Sequence, residues 1–189
     1  MIYETIVCTV NADGTPRIVP LGIRHQDDLI LLAPFRPSAT LDNLQRTGSA
    51  VVSFTDDVRV FAGCLTGHYH WPTRPAEHIK GFILKNALAH SELQLERLED
   101  DPVRPRFYCR VVFSTSHAPF AGFNRAQSAV IEAAILVSRL HMLPAEKIDQ
   151  EIDYLSIAIE KTAGPHEHQA WQWLMDKIAS HRQATRTTT

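Results

Sequence analysis

The stretch from Ile2 to Ala33, IYETIVCTVNADGTPRIVPLGIRHQDDLILLA, decides the fold. Ile2, Glu4, Ile6, Cys8 and Val10 fall on one side of an extended chain, and Tyr3, Thr5, Val7 and Thr9 on the other. That period of two, with its β-branched content, is a strand. Asn11-Ala12-Asp13-Gly14 is a turn, because Gly14 can take the positive φ that such turns need. Arg17 to Arg24 reads as the returning strand and His25 to Asp28 as a second turn. Leu29 to Ala33 is a continuous apolar run, which suits a strand buried on both faces.

Beyond this meander, Ser38 can cap a short helix that Gly48 ends. Ala50 to Phe54 and Val58 to Leu65 read as two further strands separated by Asp56-Asp57. Residues 66–86, with Pro72 and Pro75, read as a long loop carrying at most one helical turn. Leu93 and Leu95 alternate with Glu92, Gln94 and Glu96, as Phe107, Cys109, Val111 and Phe113 alternate with their neighbours. This spacing predicts a hairpin over 88–116 that turns at Glu99 to Pro105, although propensity alone also allows a helix over 91–98. From Arg125 the period becomes helical: Arg125 to Leu143, a second helix from Pro144 with a stripe of Ile148, Ile152, Leu155 and Ile159, and a third carrying Ala170, Trp173, Leu174 and Ile178. Strands followed by helices make an α+β chain. The expected organisation is a barrel domain over 1–117, a helical region over 118–181 packed on it and a disordered tail over 182–189.

Composition narrows the function classes. The 189 residues carry 19 Lys and Arg against 21 Asp and Glu, so no general basic surface recommends nucleic acid or an anionic membrane. The start lacks the basic and apolar regions of a secretory signal, and no run of about 18 apolar residues spans a bilayer. Three cysteines, Cys8, Cys64 and Cys109, are an odd number without CxxC spacing, which speaks against a disulfide framework and a Cys-based zinc site. The expected compartment is the cytoplasm. His68-Tyr69-His70 and His166-Glu167-His168 lack a companion ligand at a metal-site spacing, so no metal is expected.

The segment that carries chemistry is Ala33-Pro34-Phe35-Arg36-Pro37-Ser38-Ala39-Thr40-Leu41-Asp42-Asn43-Leu44. A buried strand ends, a permanently charged fork follows, and a helix begins with hydroxyl residues. The free N–H groups of a helix start, with Arg36, Ser38, Thr40 and Asn43, can cradle a phosphate; a capped helix beside a solvated Arg is the plainer alternative.

These residues also resemble a known family. Thr40-Leu41-Asp42-Asn43, Thr47-Gly48 and Val51-Val52 look like the FMN segment of the flavin reductase-like split barrels. Ile2 to Val7, the Pro37-Ser38-x-Thr40 corner, Val58-Arg59-Val60-Phe61 and Gly122-Phe123-Asn124-Arg125-Ala126 are similar to one FMN-binding family of that fold, found in methanogenic archaea and in bacteria with methanopterin-type C1 chemistry. The resemblance covers roughly residues 1–178. It implies a six-stranded antiparallel split barrel of Greek-key type, followed by three helices, with FMN at a homodimer interface. Arg36, Ser38, Thr40 and Asn43 would hold the phosphate, with Ala39 standing where relatives often carry a longer residue. Pro20, Leu21, Gly22 and Ile23 would run beside the isoalloxazine, and Asp56, Asp57 and Val58 would form a further contact. The implied activity is that of an FMN-dependent oxidoreductase, with no obligatory acid–base side chain. A non-catalytic flavin module, carrier or sensor, or a barrel that binds another phosphate-bearing ligand or haem, stays open beside it.

Secondary candidates are weighed against plainer readings. Arg125, Ser128, Glu132 and Arg139 share one face of a mostly apolar helix. There a structural ion pair competes with an anionic-substrate role for Arg125 or Arg139. Trp71 and Arg74 either cover the flavin and select substrate or anchor the long loop.

Overall fold

The computed structural model describes residues 1–187, and it resolves the chain into two compact units. The first comprises 1–56 and 70–120, and the second 57–69 with the chain from 121 onward.

The first unit is a closed antiparallel barrel in the order β1-β2-β3-β8-β7-β4. Its strands are β1 (Tyr3–Val10), β2 (Pro16–Gln26), β3 (Leu29–Leu32), β4 (Ser49–Phe54), β7 (Ala89–Glu99) and β8 (Arg106–Ser116). A pair of short strands, β5 (Thr73–Pro75) and β6 (Phe82–Leu84), forms a separate two-stranded sheet inside the segment expected to be a loop. The barrel interior is filled by Val7, Ile23, Ile30, Leu32, Val52, Leu93, Phe107 and Cys109, with Leu41 and Leu44 added from helix α1 (Ala39–Thr47). The register Val7↔Val52 and Val7↔Val19 places the odd residues of β1 inward. Cys8 and Val51, paired with each other, therefore lie on the outer wall. Helix α1 stops at Gly48, whose φ of 63° is the left-handed conformation a glycine takes without steric cost.

The second unit is helical: α2 (Arg59–Thr66), α3 (Arg125–Ser138), α4 (Ala145–Thr162) and α5 (Pro165–Thr187). Val58, Ala62, Ala129, Val130, Ala133, Ile148, Ile159, Ala170, Leu174 and Ile178 make its core. Asn124 caps α3 through Ala126 N at 2.8 Å, and Glu167 caps the start of α5 by accepting from Gly164 N at 3.0 Å.

Four expectations are corrected. Residues 58–65 form helix α2 and not a strand, because Val58, Ala62 and Leu65 repeat at helical spacing and pack on the helical core. That segment consequently belongs with the helices and not with the barrel. Helix α3 ends at Ser138 instead of running to Leu143; Arg139 caps it and Met142 N turns back to Arg139 O at 2.9 Å. The polar end from Arg182 is helical through Thr187, tied to α4 by an Arg182–Asp149 ion pair; residues 188–189 lie outside the described residues.

Candidate functional site

Where β3 ends, the chain turns outward through Phe35, Arg36 and Pro37, all exposed, and re-enters at Ser38 to start α1. Ser38 Oγ accepts from Leu41 N at 3.2 Å, and Ser38 O accepts from Asp42 N at 3.1 Å. The cap leaves the amides of the first turn, at Ala39 and Thr40, facing the corner as the helix's positive end. Ala39 is exposed, so nothing bulky stands over those amides, whereas Thr40 is buried.

Arg36 stands at the mouth of this corner. Its backbone N–H donates to Val103 O at 2.9 Å, and its guanidinium donates to Asp100 Oδ1 at 2.6 Å. Both partners come from the β7–β8 turn. Asp101 Oδ1 organises that turn by accepting from Val103 N at 2.8 Å and Arg104 N at 2.7 Å. The amides of Arg104 and Val103 hold the Asp101 carboxyl below its usual range. Arg104 donates twice to Ala33 O, at 3.1 and 2.8 Å, and its guanidinium lies 4.4 Å from the centre of the Phe35 ring. Asp100, Val103 and Arg104 are the residues sequence reasoning passed over. The only signal was a polar Asp-Asp-Pro turn, and nothing local says that a turn 64 residues downstream of Arg36 closes on it.

Asn43 is placed differently from its expected role. It is 5% exposed, and its amide donates to Thr9 Oγ1 at 3.0 Å and to Asn11 Oδ1 at 2.9 Å. Its carbonyl accepts from Arg46 at 3.1 Å. Both amide hydrogens are spent, so Asn43 bolts α1 to the β1–β2 turn and has no donor left for a phosphate.

On β2, Pro20, Leu21 and Gly22 are half-buried and Ile23 is wholly buried in the barrel interior. The ladder of β2 with β3 runs through Arg24↔Leu31, so Gly22 and Ile23 continue β2 alongside the point where β3 leads into the corner. Thr5 Oγ1 donates to Leu21 O at 2.8 Å. Gly22 does permit a close approach, and the visitor is Ile2: a Cβ at Gly22 would stand 2.7 Å from Ile2 Cγ2.

The remaining candidates separate. Asp56 is half-buried in the barrel unit. Asp57 and Val58 belong to the helical unit. There Asp57 takes a two-pronged ion pair from Arg59, at 2.8 and 2.7 Å, and Val58 is 1% exposed in the helical core. Their side chains are committed to α2. Arg125, Ser128, Glu132 and Arg139 are all exposed in the helical unit, so no buried charge there demands a partner. Trp71 is half-buried, and Arg74 binds His117 Nε2 at 3.0 Å with Glu77 at 3.7 Å, an anchoring role inside the barrel unit. His68 stacks on Trp173 at 3.9 Å within the helical unit.

With the fold and corner defined, comparison places the chain in a family. Residues 3–118 match the family model described as protein of unknown function DUF447, N-terminal domain, and residues 124–176 match the corresponding DUF447 model that follows it. The chain belongs to the DUF447 family. It shares its fold with the FMN-bound protein MM1853 from Methanosarcina mazei, also of DUF447, at a TM-score of 0.81 and 19% identity over 93% of this chain and 94% of that one. BorF, the flavin reductase component of a bacterial two-component tryptophan halogenase, matches at a TM-score of 0.52 and 21% identity, over 63% of this chain and 82% of its own. Flavoredoxin of Desulfovibrio vulgaris matches at 0.52 and 16% identity, over 61% and 70%. The architecture is that of the flavin reductase-like split barrels. No described helix is long and apolar enough to cross a membrane.

Proposed function

We propose that this chain binds FMN on its barrel unit and acts as an FMN-dependent oxidoreductase of flavin reductase-like type. One observation carries the reading: an exposed guanidinium, a serine hydroxyl and an uncovered helix start converge at the Arg36–Thr40 corner of a barrel whose fold an FMN-bound family member shares. The donor set fits a phosphate monoester, since Arg36, Ser38 and the first-turn amides of α1 offer hydrogen bonds or positive potential, with Asp100 as the carboxylate that competes for Arg36. Bound FMN supplies the electron chemistry. Arg36 neutralises phosphate charge, Ser38 fixes the helix start, and Thr40 contributes its backbone amide. The backbone of Pro20 to Ile23 lies where a ring could be oriented beside β2, after Ile2 moves off Gly22. Asn43 acts on this site through α1, while Asp57 and Val58 are left out because their side chains are engaged elsewhere.

The same reading includes a homodimer with the flavin at the subunit interface, a cytoplasmic setting and a substrate of methanopterin or C1 type. The homodimer and the substrate type are drawn from the resemblance carried by Ile2 to Val7, the Pro37-Ser38-x-Thr40 corner, Val58 to Phe61 and Gly122 to Ala126, and the cytoplasmic setting from three cysteines that form no disulfide pattern.

The test is a visible spectrum of purified protein with the released ligand identified by mass, followed by titration with FMN and riboflavin. Flavin bands, released FMN and an FMN preference that Arg36→Ala abolishes are expected. A colourless protein that also rejects added FMN overturns the reading. Flavin binding without any reduced-nicotinamide oxidation would leave a non-catalytic flavin module.

A further inference from the structure

Residues 72–84 lie over the outer wall of β1 and β4. Gly81 sits against Val51, a Cβ there standing 3.1 Å from Val51 Cγ2. Leu84 N donates to Ser53 Oγ at 3.3 Å, and the Phe82 backbone hydrogen-bonds Cys8. Cys8, Val51 and Ser53 are thereby 2% exposed or less.

What holds this segment down is unusual for a barrel exterior. Glu92, outward-facing on β7, is wholly buried and accepts from three successive backbone amides of the segment: Glu77 at 2.9 Å, His78 at 2.8 Å and Ile79 at 3.0 Å. His90, also wholly buried, stands 3.4 Å from Glu92 Oε1 and 2.8 Å from His117 Nε2. Arg74, on β5, reaches the same His117 nitrogen at 3.0 Å. Arginine only donates, so Nε2 of His117 must offer a lone pair. A proton placed there removes the acceptor and sets a new positive charge between Arg74 and its neighbours.

We propose that residues 72–84 are a pH-sensitive strap, latched on the barrel by Glu92 and by the Arg74–His117–His90 chain, which releases in mild acid and uncovers Cys8. The groups that face His117 are Arg74 from β5, His90 from β7 and Glu77 from the turn between the short strands; His78 of that turn packs its ring on Phe113 at 4.2 Å. Burial, Arg74 and His90 together lower the His117 pKa, outweighing Glu77. The neutral imidazole is thus the form the closed strap favours. Its contribution is complete above the ordinary imidazole value and is lost as pH falls through the lowered one. Burial pushes Glu92 up, but the three amides and His90 outweigh it and leave it below the usual carboxylate range. Glu92 therefore fails in the same direction, at lower pH.

Hydrogen exchange of the full chain tests this, with rates corrected for the intrinsic effect of pH. Between pH 7.5 and 5.5, exchange at residues 77–79 should rise about tenfold or more relative to β1 and β8, the scale of one lost charge-assisted hydrogen bond. His117→Gln should flatten that pH dependence. At pH 7.5, Arg74→Ala should speed alkylation of Cys8 while Cys109, inside the barrel, stays protected. Exchange that follows the whole barrel, or labelling of Cys8 and Cys109 in step, would overturn the proposal. So would a pH response that survives His117→Gln. The rim variants leave Glu92 in place, so the test does not depend on a variant of that buried carboxylate folding.

Discussion

Arg36 and Asp100, 64 residues apart in sequence, meet at 2.6 Å across the mouth of the α1 corner. The guanidinium that the proposed phosphate needs is held by a carboxylate, with side-chain exposures of 39% and 77%. Binding an anion there is an exchange of partners, and Asp100 competes with it.

Asp100→Asn should therefore tighten FMN by up to about fivefold, since an exposed ion pair is worth only about 0.2–1 kcal/mol. Riboflavin, without the phosphate, should be unaffected. Paired flavin-fluorescence titrations check both, and an equal change for the two ligands would place Asp100 outside the phosphate's reach.

Asn43→Ala should cost about 2 kcal/mol of stability, because it deletes two donors and leaves the buried Thr9 and half-buried Asn11 acceptors to find other partners. Chemical denaturation measures this. The FMN-to-riboflavin affinity ratio should survive the change, since the side chain has no free donor for phosphate; a ratio that collapses to one would restore a direct contact.

One thiol of three should react quickly in the native protein. Burial pushes Cys8 up to about 12, despite a backbone hydrogen bond at Phe82, and pushes Cys109 up to about 12 as well. Cys64, on α2, is half-buried. At pH 7.5 a disulfide reagent should modify Cys64 first, with Cys8 following on strap release or unfolding and Cys109 only on unfolding. Peptide mapping of the labelled protein identifies the order.

The His68–Trp173 stack, 3.9 Å between ring centres and 15° between planes, should be worth about 0.5–1.5 kcal/mol of coupling. A double-mutant cycle on urea melts, with His68→Ala and Trp173→Leu, measures it; additive losses would make the stack incidental.

Much of the barrel was legible because its strands carry local signals. The alternation in Ile2 to Val10, the Asn-Ala-Asp-Gly turn and the Ser38 and Gly48 caps all state their structure within a few residues. Residues 58–65 misled because Val60 and Phe61, also apolar and buried, fall between Val58, Ala62 and Leu65 and mask their helical spacing. Glu92 misled for a different reason. It occupies the polar slot of an alternating strand and reads as solvent-facing, yet it is wholly buried under backbone supplied from 13 to 15 residues earlier. At the corner, Arg36 and Ser38 were visible as a motif, whereas the turn that closes on them was not, because that contact is set by tertiary closure.

The pairing of β4 with β1 closes the barrel. Each of its six strands then has a neighbour on both sides, but β3 covers only Arg24 to Gln26 of β2, so Pro16 to Ile23 are laddered to β1 alone and leave an open rim past the end of β3. On β8 the pairing with β3 likewise stops at Arg110, so Val111 to Ser116 are laddered to β7 alone. A ligand, a second copy of this chain or any other partner can therefore address the barrel at those rims through backbone groups as well as side chains. Specificity at such a surface can change one residue at a time, without disturbing the ladder beneath it.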